Sequence, residues 1–308
     1  MSVPSFSASA SCAFRPSPSP SAASSREQRT AVVTALRAAG CVFAEDEAEL
    51  ILSTARTPAE VSAMVERRAG GLPLEHVVGW AEFRGLRIAV DPGVFVPRRR
   101  TEFLVAQAAA LAGREAVVVD LCCGSGALGA ALVAGLGRVE LHAADIDPAA
   151  VHCARRNVLA AGGQVYEGDL YDPLPGTLRG RVGILLANVP YVPTREVGLL
   201  PAEARDHEAR VALDGGSDGL DVLRRVTAGA PRWLAPGGHL LFETSEGQVP
   251  AAVNAVEQAG LEARVVEDEE LYATVVIGTR RPSVPLSASG EVADPPVRRI
   301  TGSPRGDH

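Results

Sequence analysis

From residue 116 to residue 278 the chain alternates between short apolar runs and stretches of helical spacing. The apolar runs fall at 116–121, 140–145, 164–167, 182–188, 239–244, 262–266 and 273–278, each of strand length. Between them, 127–136, 148–161, 220–234 and 249–259 repeat their apolar residues with the helical period. Such alternation predicts an α/β fold with a parallel sheet and right-handed crossovers. Only a short acidic loop separates the last two runs, too short for a crossover helix. The seventh strand is therefore expected to run antiparallel to the sixth.

Upstream the period changes. Val32, Val33 and Leu36 repeat at helical spacing, 47–55 follows, and Thr57-Pro58 sets a cap with proline at the first position of a helix over 59–68. Gly70-Gly71 stops it. Residues 26–72 are thus expected to form a small all-α domain, suited to gripping a partner rather than to chemistry. Residues 82–90 alternate around Gly85 as a short hairpin, inside a linker over 73–97 that turns at Asp91-Pro92-Gly93. A helix at 101–112 opens the α/β domain, 98–280. The tails, 1–25 and 281–308, are rich in Ser and Pro and are expected to be disordered. The first lacks the basic start and unbroken apolar segment of a signal peptide.

Composition narrows the chemistry. Hydrophobic residues make up 46% of the 308 but aromatics only 4%, so the core must be built from Ala, Val and Leu. No apolar run approaches the roughly 20 residues of a membrane span. All 30 basic residues are arginine, which removes P-loop nucleotide hydrolysis and lysine Schiff-base catalysis. A net charge of −7 argues against extended binding to nucleic acid. The five cysteines include adjacent Cys122 and Cys123 but no CxxC, so they form neither a disulfide framework nor a zinc set. The histidines at 76, 142, 152, 207, 239 and 308 show no ligand spacing, and no metal is expected. These features describe a reduced, cytoplasmic chain.

Two stretches carry candidate chemistry. The run 182–188 ends in Asn188-Val189-Pro190-Tyr191. Pro190 forces Val189 towards extended geometry, leaving Asn188 at a strand's carboxyl end, where open α/β sheets place their ligands. The Asn188 side-chain oxygen and the next backbone carbonyl are two acceptors that suit a planar NH2 group, an amide or an exocyclic base amine. Tyr191 could wall that slot. The plainer reading is a strand-to-turn transition.

The second stretch runs from Val117 through Asp120, Cys122, Cys123, Gly124, Ser125 and Gly126 to Gly129, a strand, a tight turn and a helix start. Gly124-x-Gly126-x-x-Gly129 also matches the dinucleotide fingerprint. Asp120 would repel a pyrophosphate there but suits a cation, such as the amino group or sulfonium of S-adenosylmethionine. Asp145, ending the next strand, can take both hydroxyls of a ribose, and Asp169 after the third can meet an adenine amine. Each acid alone reads as a solvated strand end. Asp145-Ile146-Asp147 is better explained by Asp147 capping a helix at Pro148 than by a metal. Arg98-Arg99-Arg100 reads as the solvated start of a helix.

With these residues placed, the chain resembles the HemK-type protein-(glutamine-N5) methyltransferases over roughly 26–278. The likeness rests on Pro73-Leu-Glu-His-Val-Val-Gly79 with Phe83-Arg-Gly-Leu86, Asp91-Pro-Gly-Val-Phe-Val-Pro-Arg98, Asp120-Leu-Cys-Cys-Gly-Ser-Gly126, Asn188-Val-Pro-Tyr191, and Ala212-Leu-Asp-Gly-Gly-Ser-Asp-Gly-Leu220. It implies a class I S-adenosylmethionine-dependent methyltransferase, with a Rossmann-like seven-stranded sheet and a small N-terminal helical domain. It implies transfer of a methyl group to a glutamine amide of a peptide-chain release factor, with Asn188, Val189, Pro190 and Tyr191 at the acceptor. Phe95, Pro97, Ile146 and Leu170 would join Asp120, Cys122 to Gly126, Asp145, Asp169 and Asn188 around the cofactor.

The chain departs from the family at four places. Val189 stands where proline is usual, Cys122 replaces a glycine, Arg99-Arg100 replace proline and an acid, and Leu271-Tyr272-Ala273-Thr274 replace an Arg-Asp pair. These leave room for a paralogue with another protein target. A flipped adenine would fit the same slot but needs a basic groove. An NAD-dependent oxidoreductase is opposed by Asp120, and a non-catalytic binding module has Val189 as its one hint.

Overall fold

The computed structural model describes residues 22–282. Both expected tails lie outside that span except for residues 22–25, which begin the first helix, and residues 281–282. Helices α1 (Ala22–Ala38), α2 (Ala44–Thr54) and α3 (Pro58–Ala69) close around Leu36, Ala48 and Ile51. α3 begins as its sequence dictates: the Thr57 side chain accepts the Glu60 N–H and Pro58 takes the first position. Arg68, near its end, donates to Glu47 of α2 and to Glu203 far along the chain. A five-residue helix, α4 (Leu74–Val78), then leads to Gly79 in the left-handed conformation.

Strands β1 (Trp80–Phe83) and β2 (Leu86–Ala89) pair antiparallel. This hairpin is packed, not free. Phe83, Ile88 and Val90 share one core with Leu104 and Val105 of α5 (Glu102–Leu111).

The main sheet holds β3 (Val117–Leu121), β4 (Glu140–Asp145), β5 (Gln164–Glu167), β6 (Val182–Ala187), β7 (Leu234–Glu243), β8 (Glu262–Asp268) and β9 (Ala273–Thr279). Their order is β5-β4-β3-β6-β7-β9-β8. The first five are parallel, and β9 runs antiparallel to both neighbours, as the short acidic loop requires. β7 starts five residues before its apolar run because Leu234 pairs with Val182 ahead of an irregularity in the ladder. Helices α6 (Ala127–Leu136), α7 (Pro148–Ala160), α9 (Asp221–Trp233) and α10 (Val249–Gln258) cover the sheet, and a short α8 (Ala202–His207) lies in the connection from β6.

Both faces of the sheet are buried. One packs α5, α6, α7 and the hairpin against Val118, Ile184 and Leu186; the other packs α9 and α10 against Val119, Leu185 and Phe242. Every β3 residue is buried, which is why β3, Asp120 apart, and β6 read as near-continuous apolar runs. The strand order switches direction between them, so their carboxyl ends diverge into a crevice. No helix among the described residues is long and apolar enough to cross a membrane.

The hairpin's place in the core is open to test. Phe83→Ala should cost about 3–5 kcal/mol of unfolding free energy in urea titrations. A loss under about 1 kcal/mol would show that the hairpin is only peripheral.

Candidate functional site

A cleft of about 1060 Å3 runs across the carboxyl ends of the strands. At one end β3 turns at Cys122, whose φ is +53°, a region that costs a residue bearing a Cβ roughly 1–2 kcal/mol. Burial, with Asp145 nearby, holds its thiol far above the ordinary range, so Cys122 lines the wall as a neutral group. The Gly124 N–H donates to one Asp145 oxygen at 2.8 Å, and the Asp147 N–H to the other at 2.9 Å. Desolvation raises the Asp145 carboxyl against those two donors. Asp147 itself accepts the Ala149 N–H at 2.9 Å, as a cap of α7.

Cys123, Gly124, Ser125 and Ile146 line the same end, as do Phe95 and Pro97 from the stretch before α5. Asp169 and Leu170 border it too, with Asp169 paired to Arg225 at 2.6 Å.

Two residues expected around the ligand stand behind the wall instead. Asp120 is 1% exposed and accepts the Gly129 N–H, in the first turn of α6, at 2.9 Å. Its other oxygen is buried with no partner among the described residues. Burial, opposed by the Gly129 N–H and helped by Asp145, pushes its carboxyl up to about 7. Gly126 has φ +76°, and a Cβ there would meet Val158 of α7 at 2.6 Å. Its bareness lets α6 and α7 approach each other, so part of the glycine spacing records helix packing.

At the other end, Asn188 lines the cleft and its side-chain oxygen is buried with no partner among the described residues. Val189, Pro190 and Tyr191 continue the wall. The segment 212–220 holds them from beneath. The Val192 N–H donates to the Leu213 carbonyl at 3.1 Å and the Gly215 N–H returns to Val192 at 2.9 Å. A Cβ on Gly219 would collide with the Tyr191 carbonyl, and the Gln248 amide donates to that same carbonyl at 2.9 Å.

The arginine triplet does open a helical turn, but two of its members are ion-paired rather than free in solvent. Arg98 holds the buried Glu208 through contacts of 2.6 and 2.7 Å, and Glu208 also accepts the Val96 N–H at 3.1 Å. Arg100 pairs with the buried Glu243 at 2.6 Å. Arg99 and Arg100 are both exposed, as expected of such a start, and Arg98 is half-buried. Asn157 was also invisible as a site residue. Its amide donates to the Ala89 and Ser125 carbonyls at 2.9 and 2.8 Å, and its oxygen accepts the Ala89 N–H, which ties the hairpin to the turn.

The methyltransferase small domain family matches residues 85–216. A release factor glutamine methyltransferase of Geobacter sulfurreducens is 38% identical over 208 residues, covering 66% of this chain and 72% of that protein. Another, from Mycobacterium tuberculosis, is 34% identical over 77% of this chain and 80% of its own length. Among solved structures, the release factor-specific protein-(glutamine-N5) methyltransferase of Alicyclobacillus acidocaldarius is 22% identical at a TM-score of 0.38. That match covers 61% of this chain and 95% of the other.

Asp120 makes stability depend on pH. Its carboxyl titrates near 3.8 when unfolded and at about 7 when folded, so across that window the native state holds the extra proton. Stability from this group is complete below the window and falls as pH rises through it, by at most about 1.4 kcal/mol per pH unit. Urea titrations from pH 4.5 to 7 should show the Asp120→Asn variant losing much of that slope. Identical slopes would remove Asp120 as its source.

Proposed function

The chain belongs to the family of release factor glutamine methyltransferases, and on that footing we propose that it methylates the side-chain amide nitrogen of a glutamine in a peptide-chain release factor, using S-adenosylmethionine. The observation that carries this reading is the Asn188 oxygen, a buried acceptor without a partner among the described residues in the wall of the cleft. Such an acceptor is costly unless a donor comes to it. An amide N–H is that donor.

The opposite end of the cleft fits a nucleoside. Each Asp145 oxygen spends one lone pair on a backbone N–H and keeps another for a ribose hydroxyl. Asp169 would meet the adenine amine, with Ile146 and Leu170 as apolar surfaces beside the base. Cys122, Cys123, Gly124 and Ser125 would border the amino-acid portion, and Asp120 and Gly126 would shape that turn from behind. When bound, S-adenosylmethionine supplies a methyl group on a sulfonium, already an excellent leaving group.

The protein's own task is then orientation. An amide nitrogen is a weak nucleophile because its lone pair is delocalised into the carbonyl. The Asn188 oxygen and the Val189 carbonyl would accept its two N–H bonds, fix its plane and favour the positive charge that grows on nitrogen. Holding the reacting atoms in line can supply up to about 7–11 kcal/mol. Once methylated, the nitrogen would shed one of its two protons to water, so no side chain has to act as a general base. The α1–α3 helices would grip the release factor away from its glutamine, since one amide on a loop offers little binding surface. A substrate of that kind places the enzyme in the cytoplasm.

Labelled methyl from S-adenosylmethionine should enter purified release factor, resist nuclease, disappear with protease, and map to glutamine by fragment mass spectrometry. Label that tracks RNA or DNA in an extract would overturn the assignment in favour of adenine. Asn188→Ala should lower turnover by about 100-fold or more, the size of effect seen when one preorganised polar contact is lost. Its affinity for S-adenosylmethionine should barely move. Asp145→Ala should do the reverse, weakening calorimetric affinity by about 1.5–3 kcal/mol per hydrogen bond lost. Near-full turnover in the first variant would reduce Asn188 to a turn residue.

A further inference from the structure

We propose that Arg100 and Glu243 form a strut on the Tyr191 hydroxyl that sets the tyrosine ring at the acceptor end of the cleft, which makes both of them positioning residues for methyl transfer. The proposal rests on the function given above. Glu243 is the last residue of β7, and β7 lies beside β6 with Leu241 opposite Leu186. Two residues past that pair, Glu243 ends β7 and Asn188 directly follows β6, so both lie at the carboxyl ends of neighbouring strands and line the cleft.

The Glu243 side chain is 3% exposed, and its donors are all specific. One oxygen accepts Arg100 Nε at 2.6 Å and the Tyr191 hydroxyl at 3.3 Å, and the other accepts the Thr101 hydroxyl at 2.8 Å. Arg100 also donates through Nη2 to the Tyr191 oxygen, with its guanidinium carbon 5.9 Å from the ring centroid. The phenol is thus held between a donor and an acceptor. Gln248 fixes the backbone carbonyl of the same residue, so Tyr191 is anchored at both ends. Arg100, Tyr191 and Glu243 all face the cleft.

Charge fits the same role. Burial, with Glu243 adding to it and Arg100 opposing, pushes the phenol up to about 12, so it stays neutral and can both donate and accept. The guanidinium is matched by the Glu243 carboxylate, and the pair adds no net charge beside a neutral amide. Residue 100 is also a position where this chain carries arginine in place of the acid usual in the family it resembles. A fork of N–H donors can hold a carboxylate and a phenol together, which a second acid cannot do.

The test uses the full chain with Arg100→Met, Tyr191→Phe and the double variant. Each single change should lower kcat for methylation of purified release factor by about tenfold, with KM for S-adenosylmethionine unchanged within twofold. The double variant should be no slower than the slower single one, because both changes cut the same strut. Multiplying losses would overturn the proposal, as would full kcat in Tyr191→Phe. That variant keeps the Arg100–Glu243 pair and decides alone should Arg100→Met unfold.

A second readout needs no methyl acceptor. With tyrosine labelled at Cζ, the resonance missing from Tyr191→Phe identifies Tyr191 among the four tyrosines. That resonance should shift in Arg100→Met; if it stays in place, there is no strut. Failure of the wild-type chain to methylate release factor would strike the functional assignment instead, with the strut still decided by the resonance.

Discussion

Carboxylates taken out of water dictate how the cleft is built. Asp120, Glu208 and Glu243 are all buried, and a carboxyl removed from water costs several kcal/mol as an ion unless donors meet it or it keeps its proton, as Asp120 does up to about 7. The donors come from segments that would otherwise have little reason to meet. Gly129 at the start of α6 answers Asp120, Val96 and Arg98 answer Glu208, and Arg100 and Thr101 answer Glu243. The stretch between the hairpin and α5 is thereby pinned to the end of β7 and to the residues after α8. These pairs add little net stability, since removal from water offsets most of the attraction. Their effect is to make any other arrangement expensive.

That constraint explains how much was legible in advance. The class I methyltransferase sheet could be read from the apolar runs because β3 and β6 are buried on both faces and are apolar at nearly every position, Asp120 being the polar exception in β3. The reversal of β9 followed from the length of one loop. The two helices that escaped notice, α4 and α8, span five and six residues, too few to display a period. The ion pairs of Arg98 and Arg100 were illegible for a different reason. Their partners lie more than a hundred positions away, and a run of three arginines looks the same whether its carboxylates are far along the chain or absent.

Asp120 and Gly126 show the limit of reading a motif as if all of it faced the ligand. An acid and a glycine beside a turn have two surfaces to serve, and here both serve the inner one. Asp120 meets the start of α6, and Gly126 admits α7. Gly124 and Asp145, a few ångströms away, border the cleft. Spacing alone does not distinguish them, because a strand, a turn and a helix need small residues for packing as well as for approach. Asn157 and Gln248 were missed for the complementary reason. Each is one amide side chain in a helix or cap, yet each holds two separate backbone segments in register.

The departures at Cys122 and Val189 fall where backbone geometry matters more than side-chain chemistry. Cys122 keeps the left-handed turn that a glycine would make without strain, and its side chain packs against the core on the α9 and α10 face. Val189 is 2% exposed and belongs to that same core. A proline there would add about 0.4–1 kcal/mol by restricting the unfolded chain. Burying a valine side chain contributes about 1.5–3 kcal/mol. The acceptor loop is therefore held by packing, by Pro190, and by the close approach of 212–220 beneath it, with the missing proline a minor term. The Val189 carbonyl is a backbone group and survives the substitution. What the family pattern supplies through residue type, this chain supplies through burial.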